Sequence, residues 1–467
     1  MDVDILLKGG TIVTVNNSRE IIEDGAIAIT GDSISAIGTT QEVNKLVTNV
    51  KKEIDLHGKA VFPGLINTHN HLFQTLLKGM GDDKVLADWL ATMTAPSAIH
   101  LNEKDVEMAT YLGSLDCIRS GATTMVEYMY PHPKVNLSQP IIDTFLKIGI
   151  RAVFGRGMMT TGKQFGIPEE IMQKEEDAMN DFKKLHQQYH NKNGLIKVWL
   201  APAAVWSNTC KMFKLIKDLM GEYDTGLSVH ISETPFDRRA SEMLHGCNDI
   251  EFLEKNSLLG PRTLMVHCVH LTKREIRLTK ATKTAVSHNP VSNMYLSSGV
   301  APIPDLVERG VAVGVATDGA ASNNTNDMLE VLKTTALLHK VNSLDPTVIT
   351  AERVLEMATI DGARAIGMEN EIGSLEVGKK ADLFVFNPLI SARSVPMHNP
   401  VSTLIYSGSS INVETVIING KCIVEDFVFN NLNERLVLEE ANRQAMDLVD
   451  RAQLRKNGGR SWRSIAY

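Results

Sequence analysis

The chain has 467 residues, of which 43% are hydrophobic and 22% are charged, so it is long enough to bury a large core and to form more than one structural unit. Its 48 basic and 55 acidic residues give a net charge of −7, which argues against a nucleic-acid or anionic-membrane partner, because such partners bind basic surfaces. No apolar run reaches the ~18 residues of a transmembrane helix, so no membrane association is expected.

The cysteine pattern and the start of the chain indicate a reducing compartment. The five cysteines are scattered, odd in number and without a Cys-x-x-Cys pair, so neither a disulfide framework nor a cysteine metal site is expected. The first residues, "MDVDILLKGG", begin with acids and turn at a glycine pair, unlike a signal peptide. We therefore expect a cytoplasmic protein.

Both ends of the chain are predicted to be rich in β-strands. Residues 1–58 contain "DILLKGGTIVTV", "GAIAITGDSISAIG" and "KKEIDLHG", which read as short strands split by Gly-Gly, Gly-Asp and His-Gly turns. Residues 372–430 repeat this texture in "GSLEVGKKADLFVFN" and "VETVIINGKCIVED". We expect the two pieces to form one small composite β-sandwich, and residues 431–467 to form a C-terminal helix and tail.

Residues 59–371 alternate between strand-like and helical stretches. Helical patterns such as "EKDVEMATYLGSLDCIRSG" and "CKMFKLIKDLMGEYD" separate most of the strand-like runs. The eight strand-like runs are 60–71, 122–129, 151–156, 196–202, 226–232, 263–268, 284–289 and 311–318. Eight βα units predict an α/β protein with a (β/α)8 TIM barrel as its catalytic domain.

Polar side chains recur where these strands end. An imidazole or a carboxylate closes five of the eight runs. In chain order these residues are His69 and His71, His230, His267, His288 and Asp318. Because the active site of a TIM barrel lies at the C-terminal ends of its strands, we expect these side chains to meet there.

Four of these residues can form a metal site. Residues i and i+2 of a strand face the same way, so His69 and His71 can present two nitrogens to one point. His230 and Asp318 can complete a set of three imidazoles and one carboxylate, which suits one divalent ion and leaves a position for water. Zinc is the expected ion, with iron as the alternative, and the donor set also admits manganese.

Such a metal predicts hydrolytic chemistry. The ion lowers the pKa of bound water from ~15.7 towards ~7, which gives hydroxide at neutral pH. Glu233, three residues after His230 in "HISET", is the candidate for moving the proton of that water to the leaving group. His267 can polarise the attacked atom or hold the hydroxide, and Asp318 takes part in catalysis as well as in metal binding.

Several motifs along nearly the whole chain resemble one family. They are "PGLINTHNHLFQTLLKGM", "SVHISET", "MVHCVHLT", "SHNPVSNMYLSSGVAPIPDLVERG", "VATDGAASNN" and "LEMATIDGARAIGM" with "IGSLEVGKKADLFVF". The sequence resembles the amidohydrolase superfamily, in the branch of S-adenosylhomocysteine/methylthioadenosine deaminases, guanine and cytosine deaminases and triazine hydrolases such as atrazine chlorohydrolase and melamine deaminase.

The resemblance implies a barrel with a flanking β-sandwich and one divalent metal. By that resemblance His69, His71, His230 and Asp318 are the ligands, Glu233 is the proton shuttle, and His267 is its partner at the metal-bound water. No lysine is placed to bridge two metals, so a mononuclear centre is expected. A homodimer or higher homo-oligomer is also implied, and Arg156 is then a candidate to act across the interface.

The substrate pattern is mixed. Adenosine-type deaminases of this family carry a Glu and a His at two positions that are Ala98 and Ala203 here, so a nucleoside preference is not expected. Gln74, three residues after His71, resembles the triazine hydrolases, whereas "TDGAASNN", "SHNP" and Arg156 resemble the nucleoside deaminases. Gln74 and Arg156 are therefore candidate substrate contacts.

Three further residues are candidate substrate contacts. Trp89 and Trp206 can wall a flat heterocycle, since aromatic rings give large apolar contacts, although core packing is the alternative for each. His288 can bond the ring or its leaving group, with a structural role as the alternative.

These observations predict a metal-dependent aminohydrolase. It removes an exocyclic amino group from a small nitrogen heterocycle (a base, pterin or triazine) by attack of metal-bound hydroxide, releasing ammonia. The alternatives are an S-adenosylhomocysteine/methylthioadenosine deaminase and a triazine chlorohydrolase. A non-catalytic binding protein on this fold would be expected to have lost a ligand or the shuttle, and both are present.

Overall fold

Two β-sheets organise the structure, a computed structural model that describes residues 1–454. One is a mixed sheet of nine strands and the other a parallel sheet of eight. The strands are β1 (Asp2–Val13), β2 (Ile21–Thr30), β3 (Ser33–Thr39), β4 (Asn49–Asp55), β5 (Ala60–Pro63), β6 (Leu65–Asn70), β7 (Ala122–Met129), β8 (Arg151–Met158), β9 (Ile196–Pro202), β10 (Leu227–Ile231), β11 (Thr263–His267), β12 (Ala285–His288), β13 (Val313–Val315), β14 (Leu383–Phe386), β15 (Val413–Ile418), β16 (Lys421–Glu425) and β17 (Val428–Phe429).

Strands β6–β13 form a nearly closed parallel barrel in which successive strands are neighbours. This confirms the predicted TIM barrel. Between β13 and β6, the Asp318 amide donates to the His69 carbonyl at 3.2 Å and the Thr68 hydroxyl donates to the Val315 carbonyl at 3.2 Å. The barrel closure therefore holds Asp318 directly against the end of β6.

The mixed sheet draws its strands from both ends of the chain, as predicted. Its order is β17-β16-β15-β14-β5-β1-β2-β3, with β4 paired to β1. Two details differ from the sequence prediction, and both involve glycine.

The run 60–71, predicted as a single barrel strand, is two strands in two sheets. Ala60–Pro63 pairs with β1 and β14 in the mixed sheet, and only Leu65–Asn70 belongs to the barrel. Gly64 fits between them because a Cβ there would lie 2.0 Å from the Thr123 hydroxyl oxygen. The Pro-Gly pair is thus the point where the chain passes from one sheet to the other.

The Gly9–Gly10 pair is a bulge and not the predicted turn. β1 runs through both residues, and its register with β2 shifts around Gly10. Gly9 has φ 86° and so adopts the left-handed backbone that glycine tolerates best. The other two predicted turns are present, at Gly31 between β2 and β3 and at Gly58 between β4 and β5.

Helices surround the barrel, and within residues 1–454 none is long and apolar enough to cross a membrane. The predicted helix at 103–121 begins at Glu103, where Asn102 caps it, and ends at Arg119. The predicted C-terminal helix is Glu434–Arg451, while residues 455–467 of the predicted tail lie outside the described residues.

The α-helices of the described chain are α1 (Thr40–Leu46), α2 (Leu86–Trp89), α3 (Ala95–Ala98), α4 (Glu103–Arg119), α5 (Ser138–Ile148), α6 (Glu175–Tyr189), α7 (Cys210–Glu222), α8 (Pro235–His245), α9 (Asp249–Lys255), α10 (Lys273–Thr282), α11 (Pro290–Tyr295), α12 (Ile303–Glu308), α13 (Met328–Ser343), α14 (Ala351–Ala358), α15 (Ile360–Ala365), α16 (Pro400–Ser407) and α17 (Glu434–Arg451).

Candidate active site

Three imidazoles and a carboxylate converge at the C-terminal ends of the barrel strands. The Nε2 atom of His71 lies 3.2 Å from Nε2 of His69 and 3.2 Å from Nε2 of His230. Asp318 Oδ1 lies 3.3 Å from His69 Nε2 and 3.5 Å from His71 Nε2. The structure thus brings together the four residues predicted as metal ligands.

The hydrogen-bonding state of two imidazoles shows that the cluster suits a cation. His71 Nδ1 lies 2.7 Å from the Tyr128 carbonyl oxygen, and His230 Nδ1 lies 2.5 Å from the Ala203 carbonyl oxygen. A carbonyl only accepts, so both Nδ1 atoms carry the proton and both Nε2 atoms of the neutral rings carry lone pairs. Two lone pairs facing each other at 3.2 Å repel, and a divalent ion between them would remove that repulsion.

The pKa values of these groups favour the protonation states of metal ligands. Burial lowers the pKa of His69 to about 4, that of His71 to about 3, and that of His230 well below its ordinary value. Burial opposes ionisation of Asp318, but its hydrogen bond with His69 and the nearby His267 hold its pKa well below the ordinary value. The set is therefore three neutral imidazoles and one carboxylate.

Glu233 and His267 lie beside this cluster. Glu233 Oε2 is 3.6 Å from His267 Nε2, which is itself 3.8 Å from Asp318 Oδ2. Burial raises the pKa of Glu233 to about 7, whereas the Ser298 hydroxyl, which donates to Oε1 at 3.1 Å, favours its ionised form. Burial disfavours protonated His267, but Glu233 and Asp318 outweigh this and raise its pKa. Glu233 is thus poised to take up and release a proton near neutral pH.

The backbone at the ends of these strands is strained. Asp318 has φ 61°, His267 has φ 70° and Ser232 has φ 47°, all in the left-handed region that residues other than glycine seldom adopt. Such conformations cost free energy and persist where the surrounding structure requires them, often at functional sites.

A cavity opens onto the cluster. Three of the candidate substrate contacts, Trp89, Trp206 and Gln74, line it, and so do Ala98 and Ala203. The Trp89 indole donates to the Ala321 carbonyl at 3.0 Å and the Trp206 indole donates to Asp237 Oδ1 at 2.9 Å. With both N–H groups already bonded, the two tryptophans offer mainly ring surface to a ligand.

Arg156 and His288 are not brought into this cavity. Arg156 is buried, donates to Asp181 at 2.8 Å and also to the Gly157 carbonyl. His288 Nε2 lies 3.0 Å from His339 Nε2 in α13, and both side chains are fully buried. Both side chains are therefore bonded to other groups of the chain and not directed at the cavity.

Other cavity residues were not identified from the sequence. Tyr130 packs edge-on to His71, with ring centroids 4.9 Å apart. The segment after β8 supplies Met159, Phe165, Ile167 and Ile171. The signal for that segment is the set of apolar residues on both sides of Gly162 and Gly166, whose φ values of 113° and 90° are left-handed conformations that glycine tolerates best.

Known proteins resemble the chain along almost all of its length. The model of the amidohydrolase family matches residues 60–423. A 5'-deoxyadenosine deaminase from Methanobrevibacter smithii is 36% identical over 451 residues, covering 96% of this chain and 99% of that protein.

Two solved structures share the fold at similar coverage. An adenosine deaminase from Xanthomonas campestris with bound zinc has a TM-score of 0.89 and 28% identity, covering 97% of this chain and 99% of its own. A mutant of atrazine chlorohydrolase from Arthrobacter aurescens, complexed with zinc and atraton, has a TM-score of 0.89 and 25% identity, covering 94% of this chain and 100% of its own.

Proposed function

Because the chain belongs to the amidohydrolase family, we propose that it removes an exocyclic amino group from a small nitrogen heterocycle. The chain is a hydrolase that acts on carbon–nitrogen bonds other than peptide bonds, and metal-dependent hydrolytic deamination fits both its family and its relatives. The amine and water become a carbonyl product and ammonia.

The observation that carries this proposal is the pair of facing lone pairs on His71 and His230, 3.2 Å apart. His69 lies in one cluster of candidate ligand atoms with His71 and His230 and in a second with His267 and Asp318. We propose that His69 and Asp318 complete the donor set, which suits a divalent ion by charge and by ligand type. When bound, such an ion supplies Lewis-acid activation of a water molecule. Zinc is the ion we propose, because two similar structures hold zinc.

Glu233 moves the protons. Its carboxylate accepts the first proton of the attacking water and delivers it to the ring nitrogen next to the attacked carbon. It then takes the second proton from the hydroxyl group now on that carbon and passes it to the amine, which leaves as ammonia while the carbonyl forms. A pKa raised to about 7 by burial makes both acceptance and donation accessible at neutral pH. His267, whose Nε2 lies 3.6 Å from Glu233 Oε2, stabilises the negative charge that develops on the attacking oxygen as Glu233 takes its proton.

Gln74 offers an acceptor to the substrate. Its side chain is buried and lines the cavity, and its Oε1 atom has no hydrogen-bond partner. An unpaired buried acceptor is costly, so a donor from the ligand is favoured there. The N–H groups of an amino-substituted heterocycle supply such a donor, while Trp89 and Trp206 cover the ring.

The substrate we favour is a small base, pterin or triazine without a sugar, because Ala98 and Ala203 offer no polar group in the cavity wall. Deamination of a 5'-deoxyadenosine-type nucleoside is the second candidate, favoured by the 36% identical relative of that name. A cytoplasmic location and a homodimer remain predictions from the sequence.

The test is ammonia release by zinc-loaded and iron-loaded protein from a panel of amino heterocycles. The panel holds adenosine, methylthioadenosine, S-adenosylhomocysteine, guanine, cytosine, isocytosine, ammeline and melamine. We expect release from at least one base or triazine, reduced by about 10²–10⁴-fold in Glu233→Gln. The matched control is Glu242→Gln, since Glu242 is exposed on α8. Absence of release from every compound would contradict the proposal.

A further inference from the structure

The cavity has an apolar wall and a polar region beside the proposed metal ligands. This separation indicates which kind of substituent the substrate ring carries. Apolar side chains come from three segments: residues 86–98, the loop after β8, and residues 203–206. These segments supply Leu86, Trp89, Leu90, Ala95, Ala98, Met159, Phe165, Ile167, Pro168, Ile171, Ala203, Ala204 and Trp206, and Leu296, which follows α11, adds one more apolar side chain. An apolar wall of this extent favours an apolar ligand surface.

The polar side chains in and beside these walls are bonded within the protein, with the exception of Thr94, whose hydroxyl has only a contact of 3.8 Å with Met93 Sδ. The two indole N–H groups are occupied as described above. The Ser207 hydroxyl donates to the Ala204 carbonyl at 3.0 Å and accepts from the Ala204 amide at 2.9 Å. Asp237 accepts from Trp206 through Oδ1 and from the Thr234 amide through Oδ2 at 2.7 Å. The Ser322 hydroxyl donates to the Gly319 carbonyl at 3.1 Å and accepts from Ser292 at 3.1 Å.

Polar capacity that the protein leaves free lies beside the proposed metal ligands. Apart from the Thr94 hydroxyl, it consists of the unpartnered Gln74 Oε1, the Tyr130 hydroxyl, His267 and Glu233, whose Oε1 already accepts from Ser298. The Tyr130 hydroxyl accepts only a long contact of 3.4 Å from Gln74 Nε2. The reacting amino group and the ring nitrogen next to it can use these groups, which leaves none of them for a sugar.

The aromatic side chains hold the apolar wall in place. Trp206 contacts Phe165 and Phe236 edge-on, with ring centroids 5.6 Å and 5.3 Å apart, and Phe165 contacts Phe236 in the same way at 5.6 Å. Gly162 allows the loop to approach, since a Cβ there would lie 2.5 Å from Ile167 Cδ1. The loop therefore packs against Trp206 and forms part of a built wall.

From this division we infer that the substrate is an amino heterocycle bearing an apolar substituent, such as a cycloalkyl or alkyl group, in place of a hydroxylated sugar. The inference rests on the proposed function and specifies the substituent. Hydroxyls placed against these walls would lose water without gaining partners, and discrimination against a single such hydroxyl in an apolar pocket reaches about 100-fold.

The experiment compares matched pairs that share a ring and differ in hydroxyls. 9-Cyclopentyladenine and adenosine form one pair, 1-cyclopentylcytosine and cytidine a second, and N-propylmelamine and N-(2-hydroxyethyl)melamine a third. Binding of each compound to zinc-loaded Glu233→Gln protein is measured by calorimetry, and ammonia release by wild type is measured separately. We expect the hydroxyl-free member to bind at least about 10-fold tighter in the pair whose ring fits best.

Equal or tighter binding of the hydroxylated member, or binding of neither member in any pair, would overturn the inference. Preferential binding of the hydroxyl-free members without ammonia release from any compound would instead remove the proposed function. Ala98→Ser adds one hydroxyl to the wall and is expected to reduce the ratio by which the hydroxyl-free member of a pair binds more tightly. Ala281→Ser, at an exposed position of α10, should leave that ratio unchanged. An unchanged preference in Ala98→Ser would count against this part of the wall.

Discussion

Removing the hydroxyl group of Tyr128 should weaken metal binding although Tyr128 is not a proposed ligand. Its carbonyl accepts from His71 Nδ1 at 2.7 Å. Its hydroxyl donates to the Pro202 carbonyl and lies 3.2 Å from the Ser228 carbonyl. Pro202 precedes Ala203, whose carbonyl orients His230. Tyr128 therefore links the two carbonyl groups that orient His71 and His230.

The size of the effect follows from these contacts. Tyr128→Phe withdraws one donor from buried carbonyl groups, which costs about 1–3 kcal/mol of stability. Changes in the groups that orient ligands lower metal affinity by about 10–100-fold, and we expect the lower end, because Tyr128→Phe keeps the carbonyl that orients His71. Competition with a chelator measures the zinc Kd, and calorimetry measures the free energy of unfolding of the same samples.

Tyr189→Phe is the matched control. Its hydroxyl donates to Asp143 Oδ1 at 3.0 Å in the outer helix layer, away from the cluster. We expect this variant to lose stability while its zinc Kd stays at the wild-type value. If Tyr128→Phe also kept the wild-type Kd, the supporting role assigned to the hydroxyl would be refuted.

Three further outcomes are expected. Ser298→Ala removes a hydrogen bond that favours ionised Glu233, so the pKa of Glu233 should rise. Activity requires the carboxylate and is lost as pH falls through that pKa, so the acid limb of kcat/KM against pH should move to higher pH. An unmoved acid limb would argue against Glu233 as the base. Gln74→Leu should lower kcat/KM by about 10-fold through loss of one hydrogen bond to substrate, with bound zinc unchanged as the control measurement. Removal of the metal by a chelator should lower the free energy of unfolding by about 4 kcal/mol relative to protein at 1,000 times the zinc Kd, seen as a fall in Tm that added zinc restores.

The four proposed ligands could be grouped from the sequence because a parallel barrel orders its strand ends. His69, His230 and Asp318 each end a buried run, and the side-chain alternation of a strand aligns His71 with His69. Local pattern and topology together were therefore sufficient to group them, and in the structure the other three each place a nitrogen or oxygen atom within 3.5 Å of His71 Nε2. The barrel and the two-ended β-domain followed from the same reasoning.

Features that depend on distant partners could not be predicted in this way. Arg156 ends a barrel strand, yet Asp181 in α6 holds its guanidinium, and His288 ends a strand yet pairs with His339 in α13. The apolar loop after β8 has no regular period, so its role as a cavity wall emerges only from packing against Trp206. The sequence of Ala60–Pro63 predicts a strand but does not indicate which of the two sheets that strand joins.

The claim that His69, His71, His230 and Asp318 hold one catalytic metal is tested most directly by measuring bound metal and ammonia release on the same samples of wild type and His230→Ala. Plasma mass spectrometry gives the metal content, and the substrate panel gives the activity. We predict one divalent ion per wild-type chain together with ammonia release, and loss of both in the variant. Ammonia release that persists after the metal is lost, or one tightly bound ion retained by His230→Ala, would contradict the claim.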